Sequence, residues 1–214
     1  MSRHYTNPWD QRYDRDDYVY GEAPNDFLRS VSERLPDGGS VLCLADGEGR
    51  NGVFLAERGH RVTSVDASAV GLRKARDLAE RRTVAIDTVV ADLAEYPIAA
   101  TPWDAVVSIF CHLPPHLRNM VHRHVVAALQ PGGWFVLEAY RPAQLVLGTG
   151  GPPRAELMME LKTVREELAG LDLVIAREVD REINEGTLHS GPSAVIQVLA
   201  RKPVTDEAAT SGTR

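Results

Sequence analysis

Short apolar runs alternate along the chain with stretches of helical periodicity. SVLCLA (40–45) is apolar throughout, as in a strand buried on both faces of a sheet. Four further strands are predicted downstream, at HRVTSVD (60–66), IDTVVAD (86–92), WDAVVSIF (103–110) and PGGWFVLEAY (131–140). Helices are predicted before and between these strands, at 25–35, 51–59, 68–82, 113–130 and 152–170. Asn25 and Ser68 are placed to cap two of these helices at their N-termini.

The chain closes with two long strand-like runs, LDLVIAREVDREI and AVIQVLARK, joined by NEGTLHSGPS. Alternating strands and helices indicate a parallel sheet with helices on both faces. We therefore expect a Rossmann-like, doubly wound α/β domain with a seven-stranded, mostly parallel sheet and a terminal antiparallel hairpin. The domain is predicted over 25–203, after an N-terminal arm (1–24) and before a disordered tail (204–214).

Composition excludes several classes of partner. The 214 residues carry a net charge of −6, whereas a nucleic-acid surface needs clustered Lys and Arg. No apolar run reaches the ~18 residues of a membrane span. Cys43 and Cys111 lie in apolar strand-like runs, which favours buried, reduced thiols in a cytoplasmic protein over a disulfide framework.

A glycine-rich segment follows the first predicted strand. In doubly wound sheets ligands bind beyond the carboxyl ends of the strands. ADGEGRNG (45–52) satisfies G-x-G-x-x-G with Gly47, Gly49 and Gly52. Asp66 ends the second strand, about 20 residues further on, where an acidic side chain accepts hydrogen bonds from a ribose. This order predicts a nucleoside-containing cofactor, although the glycines alone also fit a tight turn.

Three further features favour S-adenosylmethionine over NAD. ADL (91–93) closes the third strand, where an acid and a backbone N–H can meet an adenine. A Pro-Gly-Gly turn stands directly before the fifth strand, and the chain ends in a hairpin instead of a second nucleotide-binding half. An NAD-dependent oxidoreductase remains an alternative, since G-x-G-x-x-G by itself is a weak signal.

With these segments, and with WDQRY (9–13), the chain resembles the class I S-adenosylmethionine-dependent methyltransferases. Within them it is similar to the small bacterial type related to tellurite-resistance and thiopurine methyltransferases, from about Trp9 to Lys202. The first motif of that family has an acid followed by glycines at alternate positions. Here those positions read Cys43, Ala45, Gly47 and Gly49, so only the last two match.

The resemblance implies S-adenosylmethionine as the cofactor. It assigns Asp66 to the ribose, Asp92 and Leu93 to the adenine, and Asp46 to the amino-acid part of the cofactor. The full set of cofactor contacts that it implies in the domain is Asp46, Gly47, Gly49, Asn51, Asp66, Ala67, Asp92, Leu93 and Phe110.

The arm before the first strand is rich in aromatic residues for so charged a segment. Four of the six tyrosines, and Trp9, fall in the first twenty residues. In related small-molecule methyltransferases the residues before the first strand fold over the cofactor as a lid, where aromatic rings face a sulfonium. Trp9, Tyr13 and Tyr20 are the candidates here. The alternative is that these rings only anchor the arm to the domain.

The residues after strands four and five bear on the methyl acceptor. FCHLPPHL (110–117) lacks the Asn or Asp followed by Pro-Pro-aromatic that enzymes methylating nucleobases or amides often carry there. His112 is the candidate catalytic base or orienting group, or else a histidine satisfied at a strand end. Tyr140, Arg141 and His189 are the candidate substrate contacts. Histidines of the following helix lie on a surface-patterned helix without ligand spacing, so no metal is predicted.

These observations predict methyl transfer from S-adenosylmethionine to a small molecule, namely a thiol, a chalcogen oxyanion or a small heterocycle, by a monomer or homodimer. One alternative is an O-methyltransferase of an aromatic or quinolone-like metabolite. Another is a protein that binds S-adenosylmethionine without catalysis, since the first motif is altered at Cys43 and Ala45.

Overall fold

A computed structural model describes residues 7–204, so the predictions for the tail beyond Val204 and for the first six residues lie outside the described part. The described residues form seven strands, which are β1 Ser40–Leu44, β2 Arg61–Asp66, β3 Asp87–Val90, β4 Trp103–Ile109, β5 Leu129–Tyr140, β6 Asp172–Asn184 and β7 Ser190–Arg201. They make one sheet in the order β3-β2-β1-β4-β5-β7-β6. Pairs among β1 to β5 are parallel, and β7 is antiparallel to both β5 and β6. The predicted fold class is confirmed.

Helices cover both faces of this sheet, and each face buries its own apolar cluster. Asn25 accepts a hydrogen bond from the Leu28 N–H at 3.0 Å, and Ser68 from the Gly71 N–H at 3.0 Å, so both predicted caps are present. The helices are α1 Pro8–Tyr13, α2 Asp26–Val31, α3 Arg50–Glu57, α4 Ala69–Arg81, α5 Pro115–Ala128, α6 Gln144–Leu147 and α7 Leu161–Glu167. Among residues 7–204 no helix is both long enough and apolar enough to span a membrane.

Two sequence-based expectations about helices were wrong. The helix predicted over 152–170 is confined to α7, because the residues before it form a short 3₁₀ turn and then an extended segment in which the Met159 N–H bonds to the Tyr140 carbonyl at 2.9 Å. The surface character predicted for α5 fails at Arg118 and His122, which are buried. Both side chains pair with Glu167 of α7.

Candidate cofactor and acceptor site

The glycine loop between β1 and α3 turns through left-handed backbone conformations. Ala45, Gly47 and Gly49 have φ values of 50°, 57° and 84°. A Cβ atom at Gly49 would lie 2.5 Å from the Cβ of Ala75 in α4, and one at Gly47 would lie 2.6 Å from the Tyr13 hydroxyl. Glycine is therefore required at both positions by the conformation and by close packing.

Asp66 holds this loop from the carboxyl end of β2. Its carboxylate accepts hydrogen bonds from the Gly47 N–H at 2.9 Å and from the Ser68 N–H at 2.7 Å. Burial raises the pKa of Asp66, and these two hydrogen bonds oppose the rise. Each oxygen keeps a further lone pair, which is the acceptor capacity that a ribose diol needs.

Asp46 faces the inside of the loop. The Ser64 hydroxyl donates to Asp46 Oδ2 at 2.6 Å, and a Cβ at Gly52 would approach the same oxygen to 2.5 Å. Burial raises the pKa of Asp46 to about 7. Asp46 Oδ2 is already engaged by the Ser64 hydroxyl. The contact predicted between Asp46 and the amino-acid part of the cofactor therefore stays a prediction.

The other predicted cofactor contacts differ in their exposure and in whether their side chains already accept hydrogen bonds. Asp92 is exposed and caps its own turn by accepting from the Ala94 N–H at 2.8 Å, while Leu93 is buried. Ala67 is exposed next to Asp66. Asn51 is buried, and its Oδ1 accepts from the Asn25 N–H at 3.0 Å, so it orders the chain ahead of α2.

Residues 7–24 of the arm are fastened to α4. Asp10 accepts from the Ser68 hydroxyl at 2.6 Å and from the Val70 N–H at 3.1 Å. Lys74 donates to three arm carbonyls at 2.6–3.3 Å and pairs with Glu48 of the glycine loop. One lysine thus ties the arm and the loop together.

The three candidate lid rings lie at different depths. Tyr13 is buried against the glycine loop and stacks with Trp9, which is half exposed. Tyr20 meets Tyr13 edge-on at 6.2 Å. The arm is therefore anchored to the domain, with Tyr13 packed against the glycine loop, while its role as a lid over the cofactor stays a prediction.

Five rings from four segments meet where β4 and β5 end. Phe110 lies 4.7 Å from Tyr140 and 4.6 Å from His189, and Tyr20 of the arm lies 4.4 Å from His189, between ring centroids. His112 stacks on Tyr140 at 5.6 Å. Phe110 has a φ of 53°, a strained conformation for a residue with a side chain, and such strain clusters at functional sites. We name these five rings the aromatic cluster.

Both histidines of the aromatic cluster are neutral at physiological pH. Burial lowers the pKa of His112 to about 4 and that of His189 to about 3. His112 Nε2 accepts a hydrogen bond from the Tyr140 N–H at 3.0 Å. That bond occupies the nitrogen a general base would use, so the geometry favours the strand-end role for His112.

Arg141 lies at the same edge but points to acids on β6. It is 2.5 Å from Asp180 and 3.8 Å from Glu178. Of the two roles the sequence allowed, bridging to surface acids is the one that the structure shows for this side chain.

A buried polar cluster beneath the hairpin was not predicted from the sequence. Glu185 pairs with Arg50 at 2.7 Å and with Arg181 at 2.8 Å, and Glu138 pairs with Arg181 at 2.6 Å. Asn25 donates to both carboxylates. The side chains of this buried polar cluster come from segments that are far apart in the chain, so no local sequence spacing predicts the cluster. Within residues 7–204 no group of three or more His, Cys, Asp or Glu side chains is placed to hold a metal ion.

Comparison with known proteins agrees with this architecture. Residues 41–133 match the family described as "Methyltransferase domain". The 2-heptyl-1-hydroxyquinolin-4(1H)-one methyltransferase of Mycobacteroides abscessus is 26% identical over 141 residues, which are 64% of this chain and 62% of that protein. The match therefore spans less than two thirds of the relative's length.

Solved structures share the fold. A protein studied for conversion of a disulfide bond into a thioacetal group during echinomycin biosynthesis aligns with a TM-score of 0.75 at 18% identity, over 95% of this chain and 94% of its own. TehB from Haemophilus influenzae aligns with a TM-score of 0.63 at 20% identity, over 83% and 61%. The N-methyltransferase NodS from Bradyrhizobium japonicum WM9, with S-adenosyl-L-homocysteine bound, aligns with a TM-score of 0.65 at 17% identity, over 91% and 96%.

The family match covers the glycine loop, Asp66 and the strands that carry them, and the sheet order continues the same architecture to the terminal hairpin. Residues 41–133 are therefore similar to a methyltransferase domain, and the described residues have the fold of the class I S-adenosylmethionine-dependent methyltransferases.

Proposed function

We propose that this protein transfers the methyl group of S-adenosylmethionine to a nucleophilic oxygen or sulfur on a small aromatic molecule. The observation that supports this most directly is the aromatic cluster, which stands at the carboxyl ends of β4 and β5 beside the strand end that bears the cofactor loop. Stacked and edge-on rings with few rotatable bonds are suited to a planar ligand.

Methyl transfer is a displacement at carbon, so the protein mainly supplies proximity and orientation. The bound cofactor supplies an electrophilic methyl group on a sulfonium. In this proposal Asp66 holds its ribose, the Gly47–Gly49 backbone admits it, and Tyr13 closes over it from the arm.

Two of the similar proteins favour different acceptor atoms among oxygen and sulfur. The Mycobacteroides abscessus relative is named for a hydroxylated quinolone, which favours an oxygen acceptor on a planar ring. The echinomycin protein is described by a change at a disulfide bond, which favours sulfur. A thiol acceptor therefore stays the second candidate.

The first experiment is calorimetric titration with S-adenosylmethionine, S-adenosylhomocysteine and NADH. Micromolar binding of the two adenosyl compounds, without NADH binding, is the expected result. Transfer of radiolabelled methyl is then followed across aromatic hydroxyl and thiol acceptors. NADH binding alone would refute the cofactor assignment, whereas adenosyl binding without transfer to any acceptor would support a non-catalytic binding protein.

A further inference from the structure

Two polar atoms of the aromatic cluster are buried without a partner. The Tyr140 hydroxyl and His189 Nδ1 make no hydrogen bond within residues 7–204. Arg50 Nη1 is a third such atom, and its guanidinium is the charge that most lowers the pKa of His189. Unmade hydrogen bonds are costly in a folded core, and in native proteins they often mark a place that a ligand or water completes.

The surrounding residues pack against the Tyr140 ring but leave its hydroxyl without a hydrogen bond. The Ser193 hydroxyl is close enough to oppose the rise in the pKa of Tyr140, but it donates its own proton to the Gly191 carbonyl at 3.1 Å. Gly150 and Gly151 lie on the ring, so closely that a Cβ at Gly151 would stand 2.9 Å from Tyr140 Cδ2. Burial raises the pKa of Tyr140 to about 12, so its hydroxyl stays a hydrogen-bond donor.

Charged groups of both signs face these rings, and the two histidines offer a ligand no strong base. Glu185 and Glu138 act on Tyr140 as anions, and Arg181, which pairs with both, acts on it as a cation. Arg12 of the arm and Arg50 of α3 act on His189 as cations, Glu185 of the hairpin opposes them while paired with Arg50, and His112 is neutral. A neutral imidazole with so low a pKa is a poor proton acceptor but can donate through Nδ1–H.

We propose that the Tyr140 hydroxyl, His189 Nδ1 and the Arg50 guanidinium form a subsite for the ionised oxygen or sulfur of a planar aromatic acceptor. The inference rests on the proposed function and narrows its substrate class to acceptors that are already anions when they bind. The acceptor leaves its proton in solvent. Its lone pair then forms the bond to the methyl carbon as the carbon–sulfur bond breaks, and that electron pair stays on the sulfur of S-adenosylhomocysteine.

The test uses Tyr140→Phe in the full chain, with 4-nitrophenol, phenol and 4-nitrothiophenol as acceptors. Losing an unpartnered hydroxyl should leave the thermal midpoint equal or higher, because no hydrogen bond is broken. The same change should lower kcat/KM for 4-nitrophenol about tenfold, the effect of one hydrogen bond to a charged acceptor. Tyr96→Phe, beyond the opposite edge strand, is the matched hydroxyl deletion and should not alter kcat/KM.

The pH profile separates an anionic acceptor from proton abstraction by the enzyme. With wild-type protein, kcat/KM should follow the ionisation of each acceptor, so that 4-nitrophenol exceeds phenol strongly near neutral pH. If the pH profiles of kcat/KM for both phenols instead bend at the same pH, a base on the enzyme removes the proton, and the proposal is overturned. An unchanged kcat/KM in Tyr140→Phe, or a lowered thermal midpoint with unchanged kinetics, would overturn it too.

Binding without turnover distinguishes this inference from the proposed function. The shift in absorbance of 4-nitrophenolate is measured with wild-type and Tyr140→Phe protein, with and without S-adenosylhomocysteine. A shift in wild type that weakens in the variant supports the subsite even if no methyl is transferred. No shift, with S-adenosylhomocysteine bound normally, rejects the subsite and leaves the proposed function standing.

Discussion

The carboxylate of Asp66 accepts a hydrogen bond from the backbone N–H of Gly47 at 2.9 Å, and this bond joins the ends of β1 and β2. It fixes the glycine loop against the residue that the sequence assigns to the ribose. The shape of the glycine loop and the predicted hydrogen bonds to the ribose of the cofactor therefore depend on the same side chain.

Asp66→Asn should weaken binding of S-adenosylhomocysteine by about tenfold or more, because an amide offers one acceptor oxygen where the carboxylate offers two. Calorimetry measures the change. Asp87→Asn, an exposed aspartate at the start of β3, is the matched control. Equal affinity in Asp66→Asn and wild type would remove Asp66 from the cofactor site.

Lys74→Met should release the arm. The buried ammonium bonds three arm carbonyls and pairs with Glu48, so its loss leaves a buried carboxylate unpaired, a change that costs about 3–5 kcal/mol in comparable sites. We expect faster tryptic cleavage at Arg12 and Arg15, a lower thermal midpoint and weaker cofactor binding.

Lys162→Met, on the exposed side of α7, controls for the loss of one charge. If Lys74→Met lowers the midpoint but leaves cofactor affinity unchanged, the arm is an anchor and no lid. That outcome would decide between the two roles that the sequence left open.

The sheet could be predicted from sequence because its strands are apolar or alternating runs that stand between helical patterns and turn residues. Asp66 and the glycines were found for the same reason, since their spacing within one βα unit is local. The Arg50–Glu185 and Arg118–Glu167 pairs could not be found, because each joins segments far apart in the chain. His112 was ambiguous because its partner is a backbone N–H, which leaves no mark in the sequence.

Glu167→Gln should destabilise the fold without changing the affinity for the cofactor product S-adenosylhomocysteine. Arg118 donates to both carboxylate oxygens at 2.9–3.1 Å, and His122 Nδ1 lies 2.7 Å from one of them, all buried between α5 and α7. The loss should be about 3–5 kcal/mol, because the guanidinium stays buried without its counter-charge. Denaturant unfolding measures it. Glu166→Gln, next in sequence but exposed, is the control, and normal affinity for S-adenosylhomocysteine is expected in both variants.

The raised pKa of Asp46 predicts how the free energy of unfolding depends on pH. Burial raises the pKa of Asp46 from 3.8 to about 7 in the folded protein, so between these values the folded state binds a proton that the unfolded state has released. This carboxyl therefore lowers the free energy of unfolding progressively as pH rises from about 4 to about 7, and the penalty is constant above that. Asp46→Asn keeps the shape and removes the titration.

His112 and His189 produce a slope of the opposite sign in both proteins, because their lowered pKa values cost stability as pH falls below about 6.5. The difference between Asp46→Asn and wild type cancels that slope. We expect the variant to gain stability relative to wild type as pH increases from about 4 to about 7, by up to a few kcal/mol at about 1.36 kcal/mol per pKa unit. Denaturant unfolding across this range measures the difference. A difference that stays flat with pH would show that Asp46 is ionised throughout, with Ser64 and the Gly52 backbone stabilising its charge.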